Sequence, residues 1–356
     1  RDLHKEYRRQ RQMCIRDRRC QGCWVDVDKP QSMISFEDMN RLINNAKSYG
    51  NSFFGILGGE PFLHPDLMRI LKEHPDCYFQ IFTNGHAITD KVASELRKLG
   101  NATPLISIEG TEAVSDVRRG RKGVLNRTVA GIEASIRNRL ITGVASSVCQ
   151  SNFNDLVKES WINYLIDKGV HYAWFHTYRP VGPVANSQLA LNPQQGLELR
   201  KFIIEMRNRK PIGIIDAYYD DKGEALCPAA TGISHHISPF GDIEPCPVIQ
   251  FANESIRDNQ GNLFETMTKS PLLNDFRQTA AKATQGCIVL ERPDLLKEIV
   301  ERNGAKDTTL RKMAMSELIK MRSRPSQYNP GNEIPEEKSI YLFPKKHWFY
   351  GFGAYS

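Results

Sequence analysis

The chain has 356 residues, enough for one large α/β domain with an appendage or for two domains. Its 40% hydrophobic and 25% charged residues suit a globular protein; no apolar run reaches membrane-span length and the arginine-rich start lacks a signal peptide's apolar core, so a cytoplasmic location is expected. The formal charge of +7 sits mostly in residues 1–19, where eight Lys or Arg face three Asp or Glu, which leaves no basic footprint for a nucleic-acid partner.

From Phe36 onward helix-period segments alternate with short β-rich runs. A helix over 36–48 is followed by a buried strand over 52–57, a helix near 65–74 and a strand over 78–83. A helix over 90–99 leads to a strand at 104–108, and a helical stretch near 124–140 to a strand at 143–149. A helix over 154–168 leads to a strand at 171–177, and one over 193–209 to the apolar run 212–216. This rhythm predicts repeated βαβ units and a mainly parallel sheet. About six units fit before residue 220, too few for a closed eight-strand barrel. Turn residues (GGEP, TNG, EG, RPVG) follow most of the strands. Past residue 222 the rhythm breaks into a hairpin-like stretch with turn chemistry at PFGD, 239–242. Residues 291–323 are again helix-prone, and the chain ends in an aromatic, glycine-rich segment.

Eight cysteines in a large chain of this kind argue against a disulfide framework. Cys77 and Cys149, inside apolar runs, read as small buried hydrophobes. Cys14, Cys20 and Cys23 are spaced C-x5-C-x2-C in QMCIRDRRCQGCW. Thiolates two residues apart reach one metal centre, either zinc or iron–sulfur. A zinc knuckle needs a fourth ligand close by, and only His64 follows within fifty residues. Three thiolates alone suit a [4Fe–4S] cluster with one open iron. In ILGGEPFLHPDL, Gly58 and Gly59 at a strand end let the backbone approach a ligand, and Glu60 adds a carboxylate.

RCQGCW, GGEP, FTNG (82–85) and SIEG (107–110), in that order, resemble the radical S-adenosylmethionine (radical SAM) superfamily over residues 19–182. The resemblance implies a partial (β/α)6 barrel and a [4Fe–4S] cluster on a C-x3-C-x2-C loop. It also implies reductive cleavage of S-adenosylmethionine to a 5′-deoxyadenosyl radical that abstracts hydrogen from a substrate. Cys20 and Cys23 match the second and third cluster ligands. Gly58, Gly59 and Glu60 match the motif that holds the methionyl amine, and Ser107 and Glu109 the strand that approaches S-adenosylmethionine. Ser147 and the loop Tyr178–Val181 are ribose and adenine candidates. Arg118 and Arg119, in DVRRG, read either as partners of the cofactor carboxylate or as exposed helix-start residues.

One departure stands out. The family's first ligand belongs at Arg16, two residues after Cys14, and QMCIRDR is what a transposase sequencing adaptor encodes when translated. We therefore expect residues 1–18 to be a non-native leader, with the first cysteine and the first barrel strand missing. The competing expectation makes Cys14 a genuine ligand.

Cys227, Cys246 and Cys287 form a second set. C-x13-G-x4-C, with Gly241 as the glycine, matches the opening of the twitch and SPASM auxiliary-cluster domains, in abbreviated form. Unrelated loop cysteines, or zinc with His235 or His236 as fourth ligand, are the alternatives. Asp216, Tyr218 and Tyr219 read as solvated loop residues, with proton handling at a substrate as the other reading. The expected layout is a leader (1–18), a partial barrel (19–222), an auxiliary cluster domain (223–290) and a helical and aromatic extension (291–356). A peptide or small-molecule substrate and an electron donor such as flavodoxin or ferredoxin complete the expectation. A non-catalytic zinc-binding protein, or an inactive fragment of such an enzyme, is the competing one.

Overall fold

The computed structural model describes residues 20–25, 33–216, 218–232 and 235–347. Six strands form one parallel sheet in chain order: β1 (Phe53–Ile56), β2 (Tyr78–Thr83), β3 (Ala102–Ser107), β4 (Gly143–Val148), β5 (Tyr172–Thr177) and β6 (Gly213–Ile215). Among the described residues β1 and β6 are edges, so the sheet is open. The expected α/β fold is observed; the first barrel strand, expected to be missing, would fall on residues outside those described.

Helices fill the crossovers. They are α1 (Phe36–Ser48), α2 (Leu67–Glu73), α3 (Asp90–Leu99), α4 (Glu112–Arg119), α5 (Val124–Arg137), α6 (Phe153–Leu156), α7 (Glu159–Asp167) and α8 (Pro193–Arg209). Local chemistry sets their ends. Ser35 accepts from Asp38 N–H at the start of α1, Thr89 caps α3, and Asn192 and Gln195 form a reciprocal capping box ahead of Pro193 on α8. The expected helix over 154–168 is two pieces, because Val157 and Lys158 leave helical geometry. The sequence reading gave no helix at 112–119; α4 is short, and only Val114 and Val117 mark it as apolar.

Strand alternation separates the two faces of the sheet. Phe79, Ile81, Ile106, Val144, Ala173, Phe175 and Ile214 join the helix-side core with Ile70, Leu96, Ile132, Ile162 and Ile203. The opposite, inner face carries Phe82, Leu105, Ala145, Tyr172, Trp174 and Ile215, with Leu226 from the segment after β6 packed on it. Below this layer Gln80 Nε2 donates to Tyr172 Oη at 3.2 Å, and Thr103 Oγ1 lies 3.2 Å from the same oxygen. Above it, Ser147 pairs in register with His176.

The C-terminal part has its own core, running from Ala229 to Leu318 and including Val181 from the loop after β5. It is built on the short strands β7 (His236–Ile237), β8 (Ile243–Glu244), β9 (Phe251–Ala252) and β10 (Lys306–Asp307). Its helices are α9 (Leu263–Lys269), α10 (Pro271–Ala283), α11 (Ile288–Glu291), α12 (Pro293–Arg302) and α13 (Ala314–Lys320). The expected hairpin is β7–β8, antiparallel with His236 opposite Glu244.

A last helix, α14 (Ser339–His347), returns to β6. There Asp216 meets Arg200 at 2.8 Å, Arg207 at 2.9 Å and Lys345 at 3.5 Å, while Glu336 meets Arg207 at 2.5 Å and Lys345 at 3.1 Å. All five side chains are 2% exposed or less. This corrects the reading of Asp216 as a solvated loop residue: it is the buried centre of an ion network that fixes the C-terminal segment to the sheet edge. Tyr219, with Arg200 4.5 Å from its ring centre, is half-buried.

Cys77 and Cys149 are buried as expected, and no disulfide forms among the described residues.

Candidate active site at the strand ends

The turn that carries Cys20 and Cys23 is closed by a hydrogen bond from Cys23 N to Cys20 O, at 3.2 Å. Two elements clamp it. On one side Gln21 N donates to Arg118 O at 2.8 Å, and Arg118 Nη1 donates back to Gln21 O at 3.1 Å. On the other, Gly22 lies under Tyr178: a Cβ there would sit 2.3 Å from the ring, and its φ of +72° suits glycine. Gly182 packs on the backbone of Cys23 and Trp24. Gly22→Ala is therefore expected to cost about 1–3 kcal/mol of stability, measured by denaturant unfolding; an unchanged midpoint would show that the turn is not docked in solution.

Glu109, just past the end of β3, is the hub of the site. Arg119 Nη2 lies 3.2 Å from its Oε1, Arg118 Nη2 3.6 Å from its Oε2, and Asn152 Nδ2 donates to the same oxygen at 3.3 Å. Arg119 also hydrogen-bonds to Cys20. Burial opposes its charge, but Glu109, Cys20 and Cys23 outweigh that and hold its pKa above the usual guanidinium value. Both arginines occupy the last turn of α4, and Arg118 is only 5% exposed, so the reading of exposed helix-start residues is corrected.

At the neighbouring strand ends, Gly58 has a φ of +152° and a Cβ there would meet nothing within 4 Å, so its backbone edge is open to a ligand. Glu60 is turned inward. It accepts from Thr83 Oγ1 at 2.6 Å, Asn84 N at 2.8 Å and Phe62 N at 3.3 Å, tying the end of β1 to the end of β2. Ser107 and Ser147 lie on the inner face, at strand ends.

The structure thus brings Cys20, Cys23, Arg118, Arg119 and Glu109 together, and sets Gly58 and Gly59 at another strand end of the same sheet. Cys14 lies outside the described residues. Two thiols on one tight turn, beside a buried guanidinium that offsets negative charge, fit as ligands of a thiolate-bound cluster.

The second set converges as well. Burial, Cys287 and Arg179 act on Cys227, whose thiol is pushed up to about 11, and burial and Cys227 raise Cys246 further. Arg179 hydrogen-bonds to Cys287. No group of three His, Cys, Asp or Glu among the described residues is arranged to hold a metal ion. The three thiols lie near enough to act on one another's charge; of the histidines in the zinc alternative, His235 lies 3.2 Å from Arg277 and His236 Nδ1 2.5 Å from Glu244.

Sequence reasoning missed Asn152 and His176, and reached Arg179 only as part of the loop Tyr178–Val181. His176 had a signal, the inward register of YAWFHT at its last turn of alternation; Arg179 and Asn152 stand in loops whose course no pattern records.

An open parallel α/β sheet carries a two-cysteine turn, a glycine rim and a Glu–Arg hub over its strand ends, and part of the chain is similar to the radical SAM superfamily of enzymes. Residues 17–155 match that superfamily. The AdoMet-dependent heme synthase of Methanosarcina barkeri is 27% identical over 132 residues, 36% of this chain and 38% of that protein. The antilisterial bacteriocin subtilosin biosynthesis protein AlbA of Bacillus subtilis is 26% identical over 279 residues, 74% of this chain and 59% of that protein. The chain thus spans between 38% and 59% of the length of these curated relatives. Streptococcus suis SuiB, in a crystal structure with its precursor peptide SuiA, shares the fold at a TM-score of 0.60 and 16% identity, over 74% of this chain and 64% of that one. No helix among the described residues is long and apolar enough to cross a membrane.

Proposed function

We propose that this chain cleaves S-adenosylmethionine reductively and directs the resulting hydrogen abstraction at a peptide. The observation that carries the reading is the hub: Glu109 holds Arg119 against Cys20 at the end of β3. Cys20 and Cys23 would hold a [4Fe–4S] cluster, which supplies one electron to the bound sulfonium cofactor. Arg119 stabilises thiolate charge there, and Arg118 pins the turn through Gln21. The open backbone at Gly58 and Gly59 suits the methionyl amine, with Glu60 acting through the β1–β2 junction it locks. Ser107 and Ser147 face the space in which the nucleoside and substrate meet. Cys227, Cys246 and Cys287 would hold an auxiliary iron–sulfur cluster of the twitch type, and a flavodoxin or ferredoxin would supply electrons.

Support for a peptide comes from the reach of the matches. AlbA, a bacteriocin biosynthesis protein, matches well beyond the family domain, whereas the heme synthase match covers 36% of the chain.

The test compares this chain with its Arg16→Cys variant after anaerobic reconstitution with iron and sulfide, counting iron per chain and assaying 5′-deoxyadenosine. Product from the variant alone supports the reading, with Cys14 an adaptor relic and residues 1–18 a non-native leader. Product from the parent makes Cys14 a ligand. Two silent but brown proteins indicate an inactive fragment with its auxiliary cluster. Colourless proteins with bound zinc would overturn the reading in favour of a zinc-binding role.

A further inference from the structure

His176 lies on the inner face, two residues deeper along β5 than Tyr178, the residue that packs on the cysteine turn. Its ring is held on three sides. It stacks on Trp174 with centroids 5.2 Å apart and planes 17° apart, Phe82 lies at 6.3 Å, and Tyr218 Oη sits 3.2 Å from Nδ1. Nε2 is covered and has no hydrogen-bond partner among the described residues. Buried polar nitrogens are rarely left so, and such an atom calls for a partner, be it water, an ion or a ligand group.

Which atom carries the proton follows from Tyr218. Its oxygen receives a backbone hydrogen bond from Thr177, and among the described residues its own O–H finds its acceptor in His176 Nδ1. With Nδ1 accepting, a neutral imidazole keeps its proton on Nε2. Burial, helped by Arg179, pushes the His176 pKa down to about 4, so the ring is neutral at pH 7. A neutral N–H between two aromatic walls suits a neutral oxygen better than a carboxylate.

We propose that His176 Nε2–H is a substrate-binding donor that holds a carbonyl oxygen of the kind a peptide backbone presents, with Trp174 and Phe82 fixing the ring and Tyr218 fixing its tautomer. The proposal rests on the radical SAM reading for what is brought to the inner face of the sheet, and it adds a specificity contact that none of the sequence motifs assigns.

The test uses the full-length chain labelled with ¹⁵N-histidine, unreduced, titrated first with S-adenosylmethionine and then with N-acetyl-alanine methylamide as the carbonyl probe. The expected result is a protonated Nε2 whose resonance is unmoved by the cofactor and shifts saturably with the amide. His176→Phe, which keeps an aromatic ring, is expected to weaken amide binding by about tenfold while cofactor binding persists. Tyr218→Phe is expected to weaken amide binding and to leave Nε2 partly deprotonated. A resonance that moves with S-adenosylmethionine alone overturns the assignment to substrate. An amide that binds His176→Phe as it binds the parent, or does not shift Nε2 at all, overturns it too. A protein that binds no S-adenosylmethionine sinks the radical SAM reading, and the amide titration still decides the role of His176.

Discussion

Glu109→Gln is expected to cut 5′-deoxyadenosine formation by at least tenfold and to cost about 3 kcal/mol of stability. Glutamine preserves the shape and the contact to Asn152 but removes the one negative side chain that both Arg118 and Arg119 face. Two buried guanidinium groups then share a site without a carboxylate, and the cheapest relief is for α4's last turn to move outward. Because Gln21 is hydrogen-bonded to that turn, the cysteine loop would move with it. The measurement is iron per chain together with the deoxyadenosine assay. Iron lost from one site, with the remainder retained, matches this account. A variant of unchanged rate would reduce Glu109 to a structural residue of α4.

Asp216→Asn is expected to destabilise the protein by about 3–5 kcal/mol at neutral pH, because three buried cations lose their shared counter-charge. Burial alone would raise the Asp216 pKa, but Arg207, Lys345 and Arg200 outweigh it and hold the carboxyl well below the usual carboxylate range. A depressed folded-state pKa contributes stability that is full above about pH 4, the value of an unfolded aspartate, and is lost as pH falls through the folded value. The difference between parent and variant should therefore shrink on acidification below about pH 4. Urea unfolding at pH 7 and pH 3 measures it. A gap that stays constant or widens toward acid would contradict the assignment of the charge to Asp216.

The parallel sheet was legible because period-2 and period-3.6 patterns alternate cleanly from Phe36 to Ile215, and both are written locally in the chain. Cys20, Cys23 and the GGEP rim were legible because short motifs carry them. The Glu109 hub was half legible: SIEG marked Glu109, but the arginines were read at the wrong end of a helix, since α4 has little apolar periodicity of its own. The ion network at β6 was not legible at all. Arg200 and Arg207 are spaced seven residues apart on α8 and look like solvent-facing residues of an amphipathic helix. Their shared partner Asp216 is 16 and 9 residues on, but Glu336 stands 129 residues from Arg207 and Lys345 129 from Asp216, where nothing local distinguishes them from surface charge. His176 falls between these cases, its position legible from alternation and its role dependent on Tyr218, forty-two residues later.

That distance also has a consequence for synthesis. Lys345 follows Asp216 by 129 residues. At roughly 5–20 residues per second, a ribosome takes on the order of 6 to 26 s to add that interval. For that time Asp216, just past β6, and Arg200 and Arg207, on α8, stand without the ammonium and carboxylate that complete them. The nascent sheet should therefore hold β6 and the end of α8 only loosely until α14 is made.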